Sequence, residues 1–208
     1  AGFHRRQGDG FRKSRSRYNV NDLTANVTAK VGDKNEWRFF LNGFTEYSET
    51  PGGLSQAQWE QDPEQSVNPH DFFEARRFST AISYKRSFDE TNSLTTSIYG
   101  SYLKRDWWLD NRIATPSKRK FIAALRDVPT VGLFSDYERT NTLFDKENKL
   151  LAGIRLHTDV THEVSVAGDE MGKKAGKTTA NSANTVAVVE GYVFDEFHIT
   201  DKLNINPG

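Results

Sequence analysis

From Leu23 the odd positions read Leu23, Ala25, Val27, Ala29 and Val31, and the even ones Thr24, Asn26, Thr28 and Lys30. Alternation with a period of two predicts a strand with one apolar face. The polar stretch Gly32-Asp33-Lys34-Asn35 predicts a tight turn. Trp37, Phe39, Leu41 and Gly43, set against Arg38, Phe40, Asn42 and Phe44, predict a second strand. The pattern then recurs. Phe78, Thr80, Ile82 and Tyr84 lead into the turn Asp89-Glu90-Thr91-Asn92, and Leu94, Thr96, Ile98, Gly100 and Tyr102 lead out of it. A third pair brackets Asp145-Lys146-Glu147-Asn148, with Leu150, Ala152, Ile154 and Leu156 facing outward after it. A strand is expected over about Thr185 to Ile199, its apolar side formed by Val186, Val188 and Tyr192, and Phe197 falls out of step with these. The turn Thr200-Asp201-Lys202 opens an eighth strand at Leu203, Asn204 and Ile205.

The tight turns recur roughly 56 residues apart, and long segments alternate with them. One such segment runs from about Trp107 to Ser135 and another includes Gly168 to Lys177. Short turns at one end and long loops at the other are the signature of a transmembrane β-barrel. A soluble sandwich shows turn signals about every 8–12 residues without this asymmetry. Trp37, Phe88 and Phe144 lie near the tight turns, while Tyr47, Tyr102, Trp107 and Trp108 lie near the long-loop ends. Two aromatic girdles one strand-length apart are what membrane interfaces select. Arg86 falls on the apolar parity beside a tight turn, where its charge can reach water.

Composition sharpens this picture. The 208 residues hold 28 basic and 28 acidic side chains, so no net field draws nucleic acid. Only 36% of the chain is hydrophobic, yet 12% is aromatic, which excludes a disordered chain and places the aromatics on limited surfaces. Alternation also explains a mean hydropathy of −0.71 in a membrane protein, because half of each strand faces away from lipid. With no cysteine, disulfide scaffolds and thiol catalysis are excluded. No apolar run reaches the roughly 20 residues of a membrane helix.

Between the second and third strands stands Ser48-Glu49-Thr50-Pro51-Gly52-Gly53-Leu54-Ser55-Gln56-Ala57-Gln58-Trp59-Glu60-Gln61-Asp62-Pro63, too elaborate for a hairpin turn. Pro51 fixes φ, the glycines permit a change of direction, and Ser55 with Gln58 has the spacing of a capping box. A helix of one or two turns is expected to end at Asp62-Pro63. This stretch, with Gly8 to Tyr18 before it and Val193 to Gly208 near the end, resembles the TonB-dependent outer-membrane receptors in order and spacing. The chain is similar in general character to their ferric citrate and ferric siderophore receptors.

The resemblance implies an all-β antiparallel transmembrane β-barrel with long extracellular loops, of which this chain forms about eight strands of an expected 22-stranded whole. It implies residence in the Gram-negative outer membrane and TonB-dependent uptake of a ferric chelate, with energy supplied by a TonB-ExbB-ExbD complex. The chain reads as the middle of such a receptor, and no plug domain or TonB box is found in it. Iron enters only within the chelate, so no cofactor is expected, and lipid and lipopolysaccharide are the expected surroundings. The alternatives are a passive porin-like channel or a soluble adhesin-like β-sheet domain.

No enzyme constellation emerges. His4, His70, His157, His162 and His198 lack metal-ligand spacing; His157 and His162 could meet at the top of one strand, but solvation in a loop is the preferred reading. No carboxylate pair is singled out as acid and base. Gly168 to Lys177 departs from a phosphate-binding loop. Binding has more support: Arg105 to Asp127, expected on the long-loop side, combines Trp107 and Trp108 with Arg105, Arg112, Lys118, Arg119, Lys120 and Arg126. Arginine forms paired charge-assisted bonds with carboxylates, and cations at a barrel mouth focus an anionic chelate. The competing reading of Lys118 to Lys120 is contact with lipopolysaccharide phosphates or with water. Phe121 to Leu125 suggests a short loop helix. A second basic cluster, Arg5, Arg6, Arg12, Lys13, Arg15 and Arg17, fits an anionic membrane surface or a solvated loop.

Overall fold

The computed structural model describes residues 1–110, 121–200 and 203–206. The strands are β1 (Gly2–Gly8), β2 (Tyr18–Val31), β3 (Asn35–Glu49), β4 (Phe72–Ser87), β5 (Asn92–Asp110), β6 (Phe121–Leu143), β7 (Lys146–Gly168), β8 (Gly176–Thr200) and β9 (Leu203–Ile205), with one short helix, α1 (Gln56–Gln61). Each strand pairs antiparallel with the next in a single sheet ordered β1 to β9. Among the described residues there are thus nine strands rather than the eight expected. The additional one is β1, whose only large apolar residue is Phe3, too little for an alternation signal. No helix among the described residues is long and apolar enough to cross a membrane.

Three strands outrun their sequence expectation. Strands β6 and β7 have 23 residues each and β8 has 25, whereas a tilted bilayer crossing needs about 9–11. The segments read as long loops are therefore largely strand extensions. The helix expected over Phe121 to Leu125 is strand: Phe121, Ala123 and Leu125 pair with Asp110, Trp108 and Asp106. The cross-strand ladder overrides the helix propensity of an alanine- and leucine-rich stretch.

Register shows how the faces are built. Ala25, Leu41, Thr80, Gly100 and Val131 are successive cross-strand partners, so the apolar positions of different strands share one face. On this face the positions between Arg76 and Arg86 are Phe78, Thr80, Ile82 and Tyr84, and those between Lys104 and Asn92 are Leu94, Thr96, Ile98, Gly100 and Tyr102. Pro129 to Tyr137 of β6 and Leu150 to Val160 of β7 continue the uncharged band at alternate positions. In β8 the band falls on Thr185, Ala187, Val189, Gly191 and Val193. That places Phe197 on the apolar parity and puts Val186, Val188 and Tyr192 on the polar face, the reverse of the sequence expectation. Tyr192 belongs there because its hydroxyl donates to Asp136.

The tight turns join strands at the end opposite α1. Gly32 takes φ 65° between β2 and β3. The β6–β7 turn is Phe144-Asp145, both in the left-handed region at φ 52° and 58°, so Lys146 to Asn148 belong to β7 rather than to the turn. Trp37 packs 4.7 Å from Tyr84 by ring centroids, giving this end its aromatic row. The expected aromatic row at the loop end is only partly realised. Phe78 and Tyr102 pair on the apolar face, but Tyr47 and Trp108 lie in a protein core farther along, and Trp107 is on the polar face.

That core is a ladder of rings on the apolar parity. Tyr47, Phe72, Trp108 and Phe121 stack at centroid distances of 6.0, 6.4 and 5.2 Å, with Ala123, Leu125, Val164, Val166 and Met171 against them. The β7–β8 connection lies against this core, with Lys174 Nζ 4.9 Å from the Phe72 ring centre.

Candidate functional site

The polar face at the loop end carries two of the charges that the sequence singled out, Arg105 and Arg126. Glu46, Ala75, Arg105, Arg126 and Glu163 are successive cross-strand partners and therefore form one row. Arg105 and Arg126 are direct neighbours, and like charges in that arrangement repel unless an anion lies between them. Arg126 Nε donates to Glu163 Oε2 at 2.5 Å, while the buried Nε of Arg105 has no hydrogen-bond partner. Burial, then the adjacent charge of Arg126, pull the Arg105 guanidinium below its ordinary pKa, with Glu163 opposing the shift. An incoming carboxylate between the two guanidiniums would answer the repulsion.

Two residues farther from the turns, and so on the same face, Trp107 presents an exposed ring beside its partners Phe73 and Ala124. Trp108 points the other way, 3% exposed within the ring ladder, and has no access to this row. Adjacent strand residues face opposite sides, so the two tryptophans cannot serve one site. Arg112, Lys118, Arg119 and Lys120 lie outside the described residues.

Toward the turns the polar face carries separate hydrogen-bonded groups. Arg77 donates to Asn42 Oδ1 at 3.3 Å and lies 5.4 Å from the Phe44 ring centre. Asn42 in turn donates to Asp22 Oδ1 at 2.9 Å and to Thr24 Oγ1 at 3.0 Å. Tyr99 and His157 Nδ1 are 2.9 Å apart. The Tyr99 ring lies across Gly132, its partner on β6, and the Tyr192 ring lies across Gly153, its partner on β7. A Cβ at Gly153 would stand 2.5 Å from Tyr192. Sequence reasoning missed these residues, although a glycine on a strand's polar parity is itself a signal of close approach.

Two groupings that the sequence leaves open do not form. His157 is on the polar face and His162 on the opposite one, because they stand an odd number of positions apart in β7. The basic cluster near the start is also divided. Arg5 and Arg6 belong to β1, whereas Arg12, Lys13 and Arg15 are engaged by the β3–β4 connection and the end of β3. Arg12 donates to the carbonyls of Pro63 and Gln65 at 2.8 and 2.9 Å. Lys13 pairs with Asp62 at 2.7 Å, and that hydrogen bond raises the pKa of Lys13 and lowers that of Asp62.

The connection they grip has the architecture expected of it. Ser55 caps α1, accepting from Gln58 N at 3.3 Å, while Gln58 Oε1 accepts from Ser55 N at 2.9 Å. Gly52 takes φ 81°, and a Cβ there would meet Asn68 at 2.8 Å. Trp59 is 52% exposed and faces away from this packing.

The ferric citrate transporter FecA, in its unliganded crystal form, superposes on 91% of the chain with a TM-score of 0.81 at 18% identity. The segment has the fold of a partial transmembrane β-barrel. The ferric-catecholate import receptor Fiu from E. coli K12, in its open form, matches 98% of the chain with a TM-score of 0.75 at 12% identity. The chain spans 28% of the length of the first and 38% of the second. No protein-family model matches the chain, and no curated protein matches it. In a barrel the uncharged apolar band faces lipid, and the Arg105–Arg126 row faces the lumen.

Proposed function

We propose that this segment is part of an outer-membrane receptor that takes up a ferric chelate by TonB-dependent active transport. The observation that carries the reading is the Arg105–Arg126 pair: two adjacent guanidiniums on the lumen parity, balanced in their row by Glu163 and Glu46 but leaving Arg105 Nε without a partner. Arg105 and Arg126 would hold the carboxylates of an anionic, oxygen-rich chelate, and Trp107 would cover its apolar edge. Trp108 contributes indirectly, by stiffening the hairpin that presents Arg105. Arg112 and Lys118 to Lys120 would add cations that draw the chelate inward. Binding followed by energy-coupled release into the periplasm requires no covalent step by these residues. The protein would work with the TonB-ExbB-ExbD complex in the inner membrane.

The test is uptake of radiolabelled iron by cells expressing the full-length protein, with citrate and a catecholate as alternative carriers. Arg105→Ala together with Arg126→Ala is expected to lower uptake of the preferred chelate by roughly tenfold or more. Uptake that persists without TonB would identify a passive channel instead. Unchanged transport of every chelate by the double variant would remove the arginine pair from the site.

A further inference from the structure

The arginine pair is already answered on one side by an acid of its own wall. Arg126 Nε donates to Glu163 Oε2 at 2.5 Å, and Glu163 is the residue opposite Arg126 on β7. The other carboxylate of that row does not compete for the pair. Glu46 is separated from Arg105 by Ala75, and its Oε1 accepts from the Ser48 hydroxyl at 2.8 Å on its own strand. Asp106 and Asp127 follow Arg105 and Arg126 along the chain and therefore face the other side of the sheet. The lumen-parity positions on either side of the pair, Leu103 and Trp107 on β5 with Ala124 and Val128 on β6, carry no charge. Among the described residues, Glu163 is thus the carboxylate that flanks the pair directly on this face.

That ion pair can open. Its two side chains are 37% and 29% exposed, and competition from water and salt keeps such a pair weak. Glu163 also has room to leave. Its partner on β8 is Ser182, within an exposed, uncharged run from Thr178 to Thr185 that sets neither bulk nor a like charge against a displaced carboxylate. We propose that Glu163 is an internal competitor for the chelate: it holds Arg126 while the site is empty, and a carboxylate of the incoming chelate displaces it. The exchange replaces one carboxylate by another on the same guanidinium, so arrival is opposed only by the small free energy of an exposed ion pair. When the chelate departs, Glu163 takes Arg126 back and the two like charges are not left facing each other alone. Glu163 thereby sets the affinity of the site without touching the chelate. This rests on the chelate-receptor reading above and concerns the regulation of that same site.

The experiment is equilibrium binding to cells that express the full-length protein and lack TonB, with radiolabelled ferric citrate and a radiolabelled ferric catecholate as probes. For the probe that the wild type binds, the neutral isostere Glu163→Gln should lower the half-saturating concentration roughly two- to fivefold, the range for releasing an exposed ion pair. A merely structural ion pair would give weaker binding or none of this gain. In an Arg126→Ala background, Glu163→Gln should change nothing further, because the competitor then has no guanidinium to hold. Unchanged or weaker binding in Glu163→Gln, or the same gain without Arg126, would overturn the competitor role while leaving the arginine site in place. Arg105→Ala with Arg126→Ala that binds as the wild type does would remove the arginine site, and the competitor with it. Binding of neither probe by the wild type would remove the chelate reading and the competitor together.

Discussion

Residues of the same strand parity meet opposite fates at the two ends of this sheet. Near the turns and through the band, Ile98 is 58% exposed, Val131 53% and Val189 84%. Toward the loops, on the same face, Trp108 and Phe121 are 3% and 1% exposed. A soluble protein cannot leave the first set bare, because an extended apolar patch of this kind marks a surface that something else covers. The second set is covered by its own protein, through stacked rings and the β7–β8 connection. One alternating pattern thus serves two solvents, lipid for the band and protein for the extension. What separates them is a row of charge, Arg76, Lys104 and Asp127, lying between.

The largest effect is expected at the protein-covered end. Trp108 contacts Phe72 on one side and Phe121 on the other, so Trp108→Ala would interrupt the ladder at its centre. It should cost about 3–5 kcal/mol, the range for truncating a buried large aromatic. Urea unfolding of the full-length protein in lipid vesicles would register the loss, and limited proteolysis should show cleavage concentrated in the strand extensions. A band that unfolds in step with the extension would mean that the two zones are one cooperative unit.

At the lipid-covered end the relevant change is charge rather than volume. Ile98→Arg should destabilise the inserted barrel by about 2–4 kcal/mol, as expected for arginine near a bilayer midplane. Ser101→Arg, on the polar face of the same strand, should cost far less. Comparing the two in the same vesicle titration tests the assignment of faces. Equal penalties would show that the apolar band does not face lipid.

Much of this division is legible in the sequence alone. The alternation from Leu23 to Val31 and from Leu94 to Tyr102 reports one-sided burial directly, and the Ser55–Gln58 capping box declares α1 locally. The site was less legible for three physical reasons. Adjacency across strands is a property of register, so the pairing of Arg105 with Arg126 is invisible in a linear reading. Parity also misled in β8, because Val186 and Val188 are apolar residues on a polar face. The extensions were hidden because their apolar residues are interrupted by charge, as in Leu125, Arg126 and Asp127, and read as loop. Strand β1 carries almost no alternation and is defined by its partner.

The smallest expected effect belongs to the turn end and is a matter of pH. Asp89 sits in the β4–β5 turn, where its Oδ1 accepts from the Thr91 hydroxyl and the Thr91 and Asn92 amides, each at 2.8 Å. Asn92 Nδ2 also donates to both carboxylate oxygens at 2.9 Å. These bonds favour the ionised form, led by the Thr91 hydroxyl, and hold the Asp89 pKa at about 2 against an ordinary 3.8. The folded pKa is the lower one, so the unfolded chain takes up the proton first as pH falls. The turn's contribution is therefore full above about pH 4 and is lost as pH drops toward 2. Asp62, lowered by Lys13, should follow the same direction at the loop end. Because Asp89 is solvent-exposed, the effect should appear as local opening of the β4–β5 turn. Amide exchange at Thr91 and Asn92 should rise between pH 4 and 2 relative to the intrinsic rate, with Ile98 unchanged. Asp89→Asn should abolish the pH dependence there, and a persistent rise in that variant would assign the opening to another acid.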